Sequence, residues 1–160
     1  MTGKNPYRLL VVAPNGVHLK NFLKRIERET TDIHIITDKA GASMYPETTV
    51  DFSYRNPLNR IATPKKIRAV CRAFKPEVVH AHQLTSCSLF TDKALRGYGI
   101  PLVATAWGSD VLVNSGKGMF LRMALKYILS HADAFTADAR EVADRMRELV
   151  SKELIISICN

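Results

Sequence analysis

The stretch Leu9-Leu10-Val11-Val12-Ala13-Pro14-Asn15-Gly16 decides the fold. Its unbroken apolar run is what a strand buried on both faces requires, as in a parallel sheet. Pro14, Asn15 and Gly16 break the run. Leu19, Phe22, Leu23 and Ile26 then fall at i, i+3, i+4 and i+7, one face of a helix, while Lys20, Lys24, Arg25 and Arg28 fill its other faces. A second strand is expected over residues 33–37. Strand, break, amphipathic helix and strand make a βαβ unit with a right-handed crossover.

The alternation continues to the far end of the chain. Residues 48–54 are β-rich and alternate in polarity, a third strand nearer an edge. Thr63-Pro64 predicts a helix start, a capping hydroxyl followed by proline at the first helical position. Ile67, Val70, Cys71 and Phe74 carry the stripe on until Lys75-Pro76 stops it. Further strands are expected at 78–82, 101–106, 134–137 and 154–158. Helices are expected at 85–96, 121–129 and 142–150, with a glycine-bearing loop at 107–118. The pattern predicts an α/β fold: a doubly wound, Rossmann-like parallel sheet of about seven strands with helices on both faces.

Composition bounds what such a fold is for. At 160 residues, 46% hydrophobic and 24% charged, the chain can bury one core, which excludes disorder and fibrous repeats. No apolar run approaches the roughly 20 residues of a membrane helix. The apolar run after the basic N-terminal residues is shorter than a signal-peptide core, so a cytoplasmic location is expected. Cys71, Cys87 and Cys159 form no close pair and read as reduced thiols, at least one of them in the core. Residues 1–75 hold 14 Lys/Arg against 6 Asp/Glu, whereas residues 76–160 are balanced at 9 and 9. The excess on one half suggests an anionic partner there or simply a solvated surface.

In a doubly wound fold, ligands bind beyond the carboxyl ends of the strands. That rule singles out Asn15, Gly16 and His18, then Asp38, His80 to Gln83, Trp107 to Asp110, and Asp138. Gly16 lets backbone approach a ligand at a helix start that favours anions. There is no Gly-x-Gly-x-x-Gly and no Walker lysine motif, which argues against a dinucleotide site or P-loop hydrolysis. His80 and His82, two apart in a strand, share a face and lack an obvious third ligand for a metal. Trp107 offers a flat apolar surface of the kind that stacks on sugar rings, or it anchors a core. Asp110 either binds hydroxyls or orders its own loop, with Gly108 and Ser109 completing the turn. No Ser–His–Asp order, paired carboxylates or RNA-type aromatic motif stands out, so no complete active site and no nucleic-acid interface is read here.

Four stretches resemble the N-terminal domain of the GT-B-fold glycosyltransferases of family 4, the retaining, nucleotide-sugar-dependent group. They are Arg8-Leu9-Leu10-Val11-Val12-Ala13-Pro14 with its Asn15-Gly16 loop, Lys75-Pro76-Glu77-Val78-Val79-His80-Ala81-His82, Pro101-Leu102-Val103-Ala104-Thr105-Ala106-Trp107-Gly108-Ser109-Asp110, and Ala132-Asp133-Ala134-Phe135-Thr136-Ala137-Asp138. Their order and spacing cover nearly the whole chain. The resemblance implies that residues 1–160 are the acceptor-side domain of a two-domain enzyme. The donor-binding domain, with its pair of glutamates, would follow and is absent from these residues. It implies sugar transfer from a nucleotide-sugar to a glycolipid or polysaccharide, inactive in this half alone, without an essential metal or resident cofactor. It places Asn15, Gly16, His18, His82, Trp107, Gly108, Ser109 and Asp110 toward the acceptor. It also suggests peripheral contact with an anionic membrane through Lys20, Lys24, Arg25 and Arg28. Two departures stand out: Trp107 occupies a position where family members often carry histidine, and the first loop has one glycine where many have two. Two other readings stay open, a non-catalytic subunit that recruits a separate donor-binding chain and a flavodoxin-like ligand-binding domain.

Overall fold

β1 (Tyr7–Val12) lies inside the sheet with a strand on either side, and its Leu10, Val11 and Val12 are fully buried on alternating faces. The structure is a computed structural model and describes residues 7–26, 31–41, 43–113 and 118–159. After β1 come α1 (Val17–Ile26), β2 (Thr31–Thr37), β3 (Glu47–Thr49) and α2 (Asn59–Phe74). Then follow β4 (Val78–His82), α3 (Ser86–Leu95), β5 (Leu102–Ala106) and the short α4 (Ser109–Leu112). α5 (Met119–His131), β6 (Ala134–Ala137), α6 (Arg140–Leu149) and β7 (Ile156–Ile158) complete the chain. The strands lie in the order β3-β2-β1-β4-β5-β6-β7, all parallel, so the expected doubly wound, Rossmann-like sheet is present. The order reverses between β1 and β4, the crevice where such sheets bind ligands.

The two faces are covered unequally. Val11, Ala13, Ile33 and Ile35 pack on Leu19 and Leu23 of α1. Leu10, Val12, Val79, Ala81, Ala104 and Phe135 join a larger core with the buried sides of the other long helices. Among the described residues α1 is therefore the one helix on its face, which leaves that side of β4, β5 and β6 open. The alternation of strand residues puts His80, His82, Thr105 and Thr136 on the open side.

Several boundaries differ from the sequence expectation for identifiable reasons. The third strand stops at Thr49 instead of reaching residue 54. Asp51 ends the ladder: its carboxylate accepts the Ser53 N–H at 2.7 Å and the Asn59 side-chain amide at 2.7 Å. α2 begins at Asn59, one turn ahead of Thr63-Pro64. The Thr63 hydroxyl caps no helix; it donates to the Asp51 carbonyl at 2.7 Å. Pro64 sits inside the helix and gives the Arg60 carbonyl no N–H, and Lys93 Nζ donates there instead at 2.7 Å. The expected loop after β5 contains the single-turn α4. Leu121, expected in the core stripe of α5, is exposed. The last strand begins at Ile156 rather than residue 154. Cys71 and Cys87 are buried and Cys159 is exposed.

Candidate functional site

An open, mainly apolar groove of about 460 Å³ runs along α1 over the uncovered sheet face. His18, Phe22, Arg25 and Ile26 of α1 form one wall, and His80, His82, Thr105 and Thr136 form the floor. Trp107 and Asp138, which follow β5 and β6, rim its end at the carboxyl edge of the sheet. Three sequence-predicted residues, His18, His82 and Trp107, therefore meet in one place. The indole of Trp107 stacks on His18 with ring centroids 4.3 Å apart and lies 5.6 Å from the His82 ring. Phe22 meets His82 edge-on at 4.5 Å.

The two strand histidines are different chemical groups. His80 shares a hydrogen bond with the Thr105 hydroxyl at 2.6 Å, and Thr105 shares one with the Thr136 hydroxyl at 2.7 Å. This polar row crosses three strands. His82 is buried beneath Trp107 and Phe22, and neither ring nitrogen has a hydrogen-bond partner. Burial holds the His82 imidazole well below its ordinary pKa, with the neighbouring His80 and His18 adding to the effect. Burial likewise pushes His80 down to about 4. Both rings are neutral at pH 7, so they offer hydrogen bonds and apolar surface, not positive charge. Among the described residues, no three His, Cys, Asp or Glu side chains gather as a metal-binding group.

The other predicted residues position the site. Asp110 is buried and each of its carboxylate oxygens holds a backbone N–H: Oδ2 accepts from Leu84 at 2.7 Å and Oδ1 from Trp107 at 2.9 Å. Of the two expectations for Asp110, hydroxyl binding or loop ordering, the contacts correspond to loop ordering. Burial raises its carboxyl pKa, with the backbone N–H groups of Leu84, Trp107 and Asp110 itself opposing the shift and the Asp138 carboxylate adding to it. Gly108 takes φ +64°, and a Cβ there would stand 3.6 Å from the Asp138 carboxylate. Ser109 is exposed at the start of α4. Asn15 is turned away from the groove: its amide donates to the Lys39 carbonyl at 2.9 Å, and its N–H to Asp38 Oδ1 at 2.7 Å. Gly16 accepts the Lys20 N–H at 3.2 Å and has open space where a Cβ would be. Lys20, Lys24 and Arg25 are exposed on α1, with Arg25 also lining the groove. Arg28 lies outside the described residues.

Sequence reasoning missed two features. Gln83 has a positive φ of 74°, uncommon for a side-chain-bearing residue. Its N–H donates to the Thr105 carbonyl at 2.9 Å, its carbonyl accepts the Ser88 hydroxyl at 2.5 Å, and Asp110 pins the next residue. Such over-determined strain gathers at functional turns. The apolar length of the groove along Phe22 and Ile26 was also missed, because periodicity assigned both residues to the core.

Comparison with known proteins sets this geometry in context. No curated protein sequence matches the chain. The UDP-GlcNAc 2-epimerase of Methanocaldococcus jannaschii, in complex with UDP-GlcNAc and UDP, superposes with a TM-score of 0.71 at 16% identity over 94% of this chain and 46% of that one. A glycosyltransferase from Rickettsia africae gives a TM-score of 0.63 at 13% identity over 96% of this chain and 43% of that one. MurG of Acinetobacter baumannii gives 0.64 at 13% over 95% and 46%. At these identities the likeness shows the fold, and the chain spans less than half the length of each structure. No helix of the described residues is long and apolar enough to cross a membrane. The sequence match is more specific, since residues 9–139 fit the family described as glycosyl transferase 4-like. The chain belongs to that glycosyl transferase 4-like family.

Proposed function

We propose that this chain is the acceptor-side, N-terminal domain of a retaining, nucleotide-sugar-dependent glycosyltransferase of GT-B build. In this reading the donor is bound mainly by a second domain, and the 160 residues alone are inactive. The acceptor is a sugar-bearing glycolipid or polysaccharide. One observation supports the reading above others: His18, His82 and Trp107 from separate elements share the carboxyl-edge end of one groove.

Each group then has a task. Trp107 presents an aromatic face to a sugar ring. The two unpartnered nitrogens of His82 hydrogen-bond hydroxyl groups once the indole above it shifts. Asp138, exposed at the rim, accepts from a sugar hydroxyl. In the reaction the donor's anomeric C–O bond to diphosphate breaks and an acceptor C–O bond forms. The acceptor's proton leaves with the diphosphate. The start of α1, which carries no acidic residue in its first turn, lies at the carboxyl edge of the sheet, where it favours negative charge. A glycolipid acceptor would bring the domain to an anionic bilayer, toward which Lys20, Lys24, Arg25 and Arg28 supply positive charge.

A transfer assay on the native gene product tests this. The product is incubated with labelled UDP-sugars and total lipid or polysaccharide extract, and its intact mass is measured. The reading expects labelled acceptor and a mass near ~40 kDa, about two domains. It also expects no transfer by the 160-residue chain alone. Transfer by the chain alone, or a native product of one domain without a partner, contradicts it.

A further inference from the structure

On the face of the sheet away from the groove, a cavity of about 310 Å³ lies between the first turn of α2, the end of α3 and the third turn of α5. Arg60 of α2, Lys93 in the last turn of α3 and Arg96 just beyond it line this cavity beside the apolar Leu89 and Phe90. Together α2, α3 and α5 hold one acidic residue, Asp92. Its carboxylate is already engaged by Arg96 at 3.5 Å and by the Tyr127 hydroxyl at 3.0 Å. Three cations beside one engaged carboxylate leave the cavity positive.

Cations at a helix end often serve only to offset its last carbonyls. Here Arg68 does that: its guanidinium donates to the Lys93 carbonyl at 3.2 Å and to the Ala94 carbonyl at 3.1 Å. The three cavity cations are anchored in other ways. The Arg60 guanidinium lies 4.4 Å above the Tyr54 ring. That of Arg96 lies 5.5 Å from the Tyr127 ring and donates to its hydroxyl. Lys93 Nζ donates to the Arg60 carbonyl at 2.7 Å. These ties leave N–H donors over, since a guanidinium carries five and an ammonium three. All three residues are exposed, so an anion reaches them. Cations already fixed in place lose less freedom on binding than mobile ones.

The set matches a phosphate monoester, which carries about −1.5 to −2 charge at pH 7 and three acceptor oxygens. A carboxylate would bring one charge and two oxygens. An organic group next to the phosphate has apolar surface to meet: Tyr54 and Leu89 also wall a second cavity of about 150 Å³, together with Leu84, Leu121 and Ala124. The larger cavity is at the small end of ligand pockets, which run roughly 300–1,000 Å³, and suits a body of single-ring size. We propose that it binds a small organic phosphate monoester, with the phosphoryl oxygens on Arg60, Lys93 and Arg96 and the organic part against Leu89 and Tyr54. The site lies across the sheet from the groove and does not rest on the sugar-transfer reading.

The test is isothermal titration calorimetry of the chain with phenyl phosphate, with inorganic phosphate as the bare anion and phenol as the uncharged body. The variants are R60Q, K93Q and K65Q; the last removes the same charge from α2 at a residue that does not line the cavity. Circular dichroism confirms that each is folded. The expected result is saturable binding of phenyl phosphate, weakened about tenfold in R60Q and in K93Q and within about twofold of the parent in K65Q. Inorganic phosphate should bind several-fold more weakly, and phenol not at all. No saturable binding of phenyl phosphate overturns the inference, as does binding that R60Q and K93Q leave unchanged. An equal loss in K65Q also overturns it, because the attraction is then diffuse. Inorganic phosphate binding as tightly as phenyl phosphate overturns the assignment to an ester, and phenol binding as tightly overturns the role of the cations.

Discussion

The carboxylate of Asp110 accepts the backbone N–H of Leu84 at 2.7 Å, tying the loop after β5 to the turn after β4. Its other oxygen holds the N–H of Trp107 at 2.9 Å. Asp110 thus fixes the backbone of Trp107 and of Leu84, the residue next to the strained Gln83. Asp110→Ala leaves two N–H groups without this acceptor and should destabilise the fold by about 3 kcal/mol. Asp110→Asn keeps one acceptor oxygen and should cost about half as much. Urea denaturation measures both. A full-stability Asp110→Ala that loses only ligand binding would make Asp110 a contact residue instead.

Acid should loosen the protein through its buried histidines. His80 has its folded pKa pushed down from 6.5 to about 4, and that of His82 also lies well below 6.5. Below pH 6.5 the unfolded chain takes up protons that the folded chain refuses, so stability falls as pH falls. For His80 alone the loss between pH 7.5 and pH 5 is on the order of 2 kcal/mol. Asp110, with its carboxyl pKa raised by burial, acts in the opposite sense. Thermal melts at the two pH values should show the loss, and His80→Gln should flatten it. An unchanged slope in that variant would mean that His80 is readily protonated in the fold.

How legible was this in the sequence? The strands and helices were, because unbroken apolar runs and the i, i+3, i+4, i+7 stripe are local signals. Four parts were not, since distant residues decide them. The end of β3 depends on the Asp51 carboxylate reaching Asn59, and the start of α2 on Lys93 serving the carbonyl that Pro64 leaves open. The tie from Asn15 to Lys39 hid behind a motif position that reads as ligand-facing. Phe22 fits a core stripe, yet half of its neighbourhood is an uncovered sheet face, which only the strand order reveals.

The thiols give a simple probe of the groove. Cys71 is buried with its thiol pushed up to about 11, and Cys87 is pushed higher still by burial. Both should be inert in the folded protein. Cys159 is exposed and lines the groove. A thiol reagent should therefore titrate one group in the native protein and three in urea. A groove occupant should slow the native reaction severalfold. Rapid reaction of two or three native thiols would contradict the packing of α2 and α3.

The most direct test of the sugar-site reading uses Trp107, the chain's single tryptophan. Its fluorescence is titrated with a panel of soluble oligosaccharides and, separately, with UDP-GlcNAc, in the parent chain and in His18→Ala. The account predicts a saturable change in Trp107 emission with at least one saccharide, weakened about tenfold when the stacking partner is removed, and none with UDP-GlcNAc alone. A saccharide that binds by calorimetry without altering Trp107 emission would contradict it, as would saturation by UDP-GlcNAc alone.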